Sequence, residues 1–271
     1  MKVYSNGKIL EKDDLREVFE PGFLFGWGAF EALRTYDRKP AFLNLHIERL
    51  TKSLGLLGIE APDIDFKEKI EELGSLNSLD DAYVRITVYK KRKGSGTLIY
   101  ADKFGYYPPA MYEKGFSAVI SPYSRNTHGI FSRLKTLSYV ESRMSWYQAQ
   151  KVNKDEALIL SLEGFLVGGA RSNVFFIKDR RVFTPSVLYG AFPGITKKKV
   201  VQILEDLKLE VCEKKLTVDE LFGCQEAFLT SSLLEVMPLV ECEGKVLGKG
   251  APGEISRQVA KRYRKIVQSK N

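Results

Sequence analysis

The spacing of apolar residues changes character several times along the chain, and each change marks an element. Val3-Tyr4 and Ile9-Leu10 flank Asn6-Gly7, a pair favoured by tight primed turns, so residues 2–10 read as a hairpin. Residues 11–22 are polar and end at Pro21-Gly22, a loop signal. From Gly28 to Arg34 apolar and polar positions alternate as in a strand, while Gly26 and Gly28 let a backbone or a ligand come close. Asp37-Arg38-Lys39-Pro40 is a turn. After it Asn44 can cap a helix that carries Leu45, Ile47, Leu50 and Leu54 toward a core. A second helix is expected over residues 65–73, and residues 81–89 and 97–107 read as strands joined at 90–96.

Tyr107-Pro108-Pro109-Ala110-Met111-Tyr112 is stiff enough for a linker. The expected division is a domain over residues 1–108, a linker at 109–113 and a second domain over 114–271. In the second part a strand is expected at 116–121 and a helix at 142–151, followed by short strands at 157–162, 165–167, 174–178 and 182–184. Glu163-Gly164 and Asp179-Arg180 mark turns between them. Residues 196–207 form an amphipathic pattern with Val200, Ile203, Leu204 and Leu207 on one face. A hairpin around Glu243-Gly244 and a basic helix over 254–267 close the chain, which has no internal repeats.

Composition narrows the class. With 271 residues and 44% hydrophobic content the chain can build a substantial core. No apolar run approaches the roughly 20 residues that span a bilayer. The first residues read as strand and turn rather than a signal peptide, so a cytoplasmic protein with no membrane partner is expected. Cys212, Cys224 and Cys242 have no ligand-like spacing, which argues against a disulfide framework and a metal site. The net charge of +8 includes Lys90-Lys91-Arg92-Lys93 and Lys197-Lys198-Lys199, short clusters without interleaved aromatics, so no nucleic-acid partner is expected. The first cluster is either a solvated hairpin tip or a loop that attracts an anionic substrate.

One lysine stands apart. In Arg133-Leu134-Lys135-Thr136-Leu137-Ser138-Tyr139, Lys135 lies among apolar and hydroxyl residues, and Leu134, Leu137 and Val140 suggest that it points into a covered site. The alternative is a surface lysine beside a hydrophobic segment. A desolvated lysine gives up its proton more easily, and the neutral amine attacks aldehydes, the chemistry that a pyridoxal phosphate enzyme requires. Gly194-Ile195-Thr196, after Phe192-Pro193, places free amides and a positive dipole end at a helix start, a natural seat for phosphate. Thr230-Ser231-Ser232 ends the apolar run Ala227-Phe228-Leu229 in a similar turn.

Together with Phe23-Leu24-Phe25-Gly26 and Leu45-His46-Ile47-Glu48-Arg49-Leu50, these segments resemble, in order and spacing, the fold-type IV pyridoxal phosphate enzymes over roughly residues 3–260. That family comprises branched-chain and D-amino acid aminotransferases and aminodeoxychorismate lyases. The resemblance implies an α/β (α+β) fold of two domains: a small N-terminal α/β domain and a larger C-terminal domain with a mixed, barrel-like sheet. It implies pyridoxal 5'-phosphate bonded to Lys135 as the catalytic residue, with Tyr139 donating to the phenolate oxygen. Arg49, the amides of Ile195 and Thr196, and the turn at Ser231 and Ser232 would hold the phosphate, and His46 would support the helix that carries Arg49. Leu233 would meet the substrate carboxylate. Phe25 and Phe30 are expected either to grip an apolar side chain or to belong to the core. Trp27, where relatives carry a small polar residue, would narrow the pocket mouth or cap it. Arg85, Lys91 and Arg92 are candidates for choosing which carboxylates enter. Amino acids and 2-oxo acids would be the partners. A homodimer is expected, because family sites are completed by a neighbouring subunit's loop.

One position departs from the family. In Val167-Gly168-Gly169-Ala170-Arg171-Ser172-Asn173, Gly168 stands where relatives carry a glutamate against the cofactor's ring nitrogen. Without it the α-carbanion is less stabilised, so slower transamination or relaxed reaction choice is expected. Phe30-Glu31-Ala32-Leu33-Arg34 is similar to the aminotransferases, whereas residues 230–238 are closer to the lyases, which makes aminodeoxychorismate lyase the alternative activity. A cofactor-binding relative with little turnover is the non-enzymatic one.

Overall fold

The computed structural model describes residues 1–105 and 107–269. Tyr106, placed by the sequence in the strand at 97–107, lies outside the described residues, as do Lys270 and Asn271 of the expected second domain. The expected hairpin forms as β1 (Lys2–Ser5) and β2 (Lys8–Glu11), with Asn6 and Gly7 both at positive φ in the turn. The polar stretch after it is a kinked 3-10 turn rather than a plain loop, and the short helix α1 (Pro21–Phe25) follows.

The first sheet joins β3 (Gly28–Tyr36), β4 (Lys39–Pro40), β5 (Ala82–Lys90) and β6 (Ser95–Lys103) in the order β4-β3-β5-β6, all antiparallel. One face is covered by α2 (Leu43–Leu56) and α3 (Phe66–Leu76). Leu50, Leu54 and Ile70 pack there on Leu33, Val84 and Ile86. Asp65 caps α3 through its side chain to Glu68 N. The cap expected at Asn44 is not made. Phe42 occupies that position with φ 53°, and Asn44 lies inside the helix. The aromatic ring of Phe42 packs on Tyr263 at 6.0 Å, a contact that favours the unusual backbone at the cap.

The expected linker contains a helix, α4 (Pro109–Lys114), begun by a proline at its first position. Beyond it come β7 (Phe116–Ile120), α5 (Val140–Lys151), β8 (Glu156–Leu160), β9 (Leu166–Gly169), β10 (Asn173–Lys178), β11 (Arg181–Pro185), α6 (Ile195–Asp206), β12 (Val211–Lys214), α7 (Val218–Phe222), β13 (Glu226–Ser231), β14 (Glu235–Cys242), β15 (Lys245–Val246) and α8 (Glu254–Ser269). The nine strands form one mixed sheet in the order β12-β11-β10-β13-β14-β7-β8-β9, with β15 on β14. It curls until its ends meet, where Leu166 N donates to Leu216 O at 2.8 Å. The inside of the curl is filled by Leu158, Leu229, Met237 and Leu239. Helices α6 and α8 cover the outside, where Val200, Ile203, Val259 and Tyr263 meet Phe175 and Phe228.

Glu235 ties the two sheets together. It is buried at the start of β14 with φ 55°, and its Oε1 accepts from Arg34 Nη1 (2.9 Å) and Tyr36 Oη (2.8 Å) of β3. Its Oε2 accepts from Arg264 Nε of α8 at 2.7 Å. Phe228 is fully buried and stacks on Phe175 at 5.0 Å, in the middle of the outer core. Phe228→Ala should therefore cost about 3–5 kcal/mol, read as a lowered midpoint in urea unfolding followed by circular dichroism.

Candidate active site

Residues 135–137 run beside β3 as a short extra strand. Phe30 N donates to Lys135 O (2.8 Å), Leu137 N donates to Gly28 O (2.9 Å), and Ala29 faces Thr136 in an antiparallel bridge. Glycine at 28 permits this approach, since a Cβ there would lie 2.6 Å from Leu137 Cδ1 and 2.7 Å from Val88 O. Lys135 thereby enters a cavity of about 890 Å³ lined from both sheets, a size that suits a small molecule with a cofactor. Its Nζ lies 4.7, 5.4 and 5.3 Å from the ring centres of Phe30, Tyr139 and Phe192 and has no carboxylate partner among the described residues. The cover expected from Val140 is absent, because that residue is exposed at the start of α5. Leu134 and the aromatic rings supply it instead.

The other end of the cavity is built for an anion. Gly194 begins α6, and the first amides of the helix, at Ile195 and Thr196, have no intrahelical partner. A Cβ on Gly194 would lie 2.0 Å from Asn173 Oδ1, so only glycine allows the helix start to sit there. Asn173 in turn donates to Phe192 O at 2.8 Å. Thr230 Oγ1 is buried without a hydrogen-bond partner, and Thr230 lines the same cavity, so a donor is available for a bound group.

Arg49 lines this end, held from behind. Its Nε and Nη2 donate to the two oxygens of Glu31 at 2.7 and 2.6 Å, and Nη1 donates to Pro193 O at 3.0 Å. The remaining N–H groups of the fork are free for an anion. His46, one turn earlier on α2, contacts Glu31 Oε2 through Nδ1 at 2.7 Å and Ser232 Oγ through Nε2 at 3.3 Å. Burial and the nearby cations push the imidazole below its ordinary value despite Glu31, so Nδ1–H donates to Glu31 and Nε2 accepts from the Ser232 hydroxyl. Burial alone would raise the Glu31 carboxyl, but the bonds from Arg49 and His46 overcome it and hold it at about 2.

Of the residues singled out in the sequence, Lys135, Arg49, Tyr139, Ile195, Thr196, Ser231, Ser232, Leu233 and Phe30 all line this cavity. Phe25 does not; it ends α1 and is 72% exposed, because α1 turns the Phe23-Leu24-Phe25 stretch outward. Gly168 does not line it either. It lies in β9 opposite Ile159 with φ 145°. Trp27 stays outside, its indole donating to Leu57 O at 2.9 Å. Tyr139 Oη donates to Ala170 O at 3.1 Å, so it has to turn to donate elsewhere. Among the hairpin candidates only Arg85 lines the cavity, lying 3.7 Å over the Phe30 ring. Lys91 pairs with Glu17, and the Arg92 amide donates to Glu20. Lys197, read as part of a charged cluster, is buried and bonded to Pro185 O and Glu213. Glu31, Asn173 and Phe192 were missed. An acid inside the apolar run Phe30-Glu31-Ala32-Leu33, with His46 and Arg49 on one face of the next helix, was the available signal.

The amino-transferase class IV family model matches residues 28–242. A Methanocaldococcus jannaschii protein provisionally named a branched-chain-amino-acid aminotransferase is 32% identical over 279 residues, covering 98% of this chain and 96% of its own. The D-alanine aminotransferase of Bacillus licheniformis is 30% identical, covering 96% and 94%. The crystal structure of the branched-chain aminotransferase of Thermoproteus uzoniensis with norvaline superposes with a TM-score of 0.86 at 29% identity, covering 100% of this chain and 96% of that one.

The Glu31 cluster has a definite pH signature. A carboxyl held at about 2 against an ordinary 4.5 adds stability that is complete above about 4.5 and disappears as the pH falls through about 2. Glu31→Gln should be less stable than wild type by on the order of 3 kcal/mol at neutral pH. Urea titrations at stepped pH should show that gap closing through this acid window.

Proposed function

The chain belongs to the class IV aminotransferases, enzymes that use pyridoxal phosphate, and from that premise we propose that it moves an amino group between an apolar amino acid, branched-chain or D-configured, and a 2-oxo acid. The observation that carries this reading is an unpaired Lys135 amine ringed by Phe30, Tyr139 and Phe192, in a cavity whose other end is a helix start beside Arg49. The residues fit the cofactor. The unbonded Thr230 hydroxyl, the Ile195 and Thr196 amides and the free N–H groups of Arg49 suit a phosphate, with Ser231 and Ser232 beside them. When bound, pyridoxal phosphate supplies an aldehyde and a ring that draws electron density from the substrate's α-carbon.

The chain's own groups then divide the work. Lys135 would hold the cofactor through its amine, and the same amine, when free, would carry a proton to and from the substrate's α-carbon. Tyr139, whose hydroxyl donates to Ala170 O, would donate to the cofactor's phenolate oxygen instead. Ser232 shares its one proton with His46, so the helix amides and Arg49 carry most of the phosphate's charge. Phe30 offers apolar surface to the substrate side chain, the backbone at Leu233 would meet its carboxylate, and Arg85 offers a cation to a second carboxylate. The exposed Phe23, Leu24 and Phe25 of α1 and Ile130 and Phe131 support a homodimer, in which such surface is covered. No helix among the described residues is long and apolar enough to cross a membrane.

Borohydride reduction of the loaded protein followed by peptide mapping should place the label on Lys135, and Lys135→Ala should lose both the visible absorbance and amino-group transfer. Label on another lysine would remove the reading. Arg85→Leu should raise KM by about 10-fold or more for 2-oxo acids with a second carboxylate, with little change for apolar monocarboxylates, in steady-state assays across a substrate panel.

A further inference from the structure

The inference rests on the pyridoxal phosphate reading above and concerns the far side of the ring. In this cofactor the ring nitrogen lies para to the carbon that bears the aldehyde. With the aldehyde at Lys135 and the phosphate at α6, the nitrogen would face another part of the lining, which includes Gly169, Ala170, Arg171 and Ser172 of the turn between β9 and β10. No side chain leaves β9 there to meet it. Gly168 has φ 145° and an added Cβ would lie 3.0 Å from Ser172 O, while a Cβ on Gly169 would lie 2.3 Å from Ser172 Oγ. A carboxylate attached at 168 would therefore be strained. Glu156 is fully buried and spends its oxygens on Ala157 N and Ser172 Oγ, both at 3.0 Å. Asp155 gives Oδ2 to the amide and hydroxyl of Ser117 at 2.8 and 3.1 Å.

The charged group that this turn itself contributes to the cavity is Arg171. Its guanidinium lies 4.1 Å over the Trp146 ring, and Nη2 donates to Asp155 O at 3.1 Å. Its Nε is buried with no hydrogen-bond partner, 4.0 Å from Glu156 Oε1. Nη1 makes only a long contact to Tyr107 Oη, 3.5 Å, so the guanidinium keeps N–H groups that are not spent on the protein. A guanidinium can only donate, and it does not give up its proton.

We propose that Arg171 donates an N–H to the ring nitrogen of bound pyridoxal phosphate, which stays unprotonated and accepts the bond. Where the resemblance implies a carboxylate, this wall thus offers a guanidinium, of the opposite charge. An unprotonated ring draws less electron density from the substrate's α-carbon, so proton removal by Lys135 meets a higher barrier than beside a carboxylate.

The test is nitrogen-15 NMR of the holoenzyme reconstituted with ring-labelled pyridoxal phosphate, titrated across neutral pH. The wild-type resonance should stay at the unprotonated pyridine position. In Arg171→Gln it should begin to move toward the pyridinium position as the pH falls, and in Arg171→Glu it should sit there throughout. A pyridinium resonance in the wild type, or one that neither variant moves, overturns the proposal. A pyridinium resonance that Asp155→Asn converts to the unprotonated form overturns it in favour of Asp155. Failure of the protein to take up the cofactor at all, seen as no visible absorbance, overturns the aminotransferase reading and this inference with it.

Discussion

The Glu31 carboxylate is the constraint on which the cavity depends. It is completely buried on a strand of the first sheet, and burial of such a charge is tolerated only with close, well-aligned partners. Arg49 and His46, from one face of α2, supply them, and through them Glu31 fixes groups it does not itself present to the cavity. Arg49 is braced against Pro193 O and the Phe192 ring, next to the start of α6. His46 reaches the turn at Ser232. A single charge pair thus sets the distance between a helix of the first sheet and two separate loops of the second. The anion seat exists because those parts are held together.

Polarity within the cavity follows from the same assembly. The lysine arrives on a backbone strand laid against β3, so its position is fixed by main-chain hydrogen bonds rather than by its own side-chain partners. That leaves the amine free among aromatic rings. At the opposite end, Gly194 and Asn173 let the helix start approach the sheet closely enough for its amides to face the same space. Reactive amine and anion seat line one cavity, an arrangement that pre-orients one molecule.

Much of this was legible in the sequence because it depends on local chemistry. The hairpin at Asn6-Gly7, the helix begun after Gly194 and the isolated Lys135 each announce themselves within a few residues. Phe25 was misplaced because Pro21 starts a helix that the periodicity of so short a stretch cannot reveal, and the helix carries Phe25 outward. Lys197 was misread because its partner Glu213 comes from a distant strand. Glu31 was missed for the converse reason: in an alternating strand, an acid reads as solvent-facing unless both faces are known to be covered. The departure at Gly168 was visible, but the placing of a cation on the same turn was not, since the orientation of Arg171 over Trp146 is set by tertiary packing.

The fastening at Glu235 carries a consequence for how the chain is made. Arg34 and Tyr36 meet their carboxylate about 200 residues later in the sequence, and β7, parallel to β8 on one side, gains its other parallel neighbour only when β14 exists. A ribosome would have to release most of the polypeptide before the first sheet could dock, leaving its β3 edge and the lysine segment uncovered in the meantime. Such long-range pairing makes folding slow and places a premium on chaperone shelter for the nascent chain.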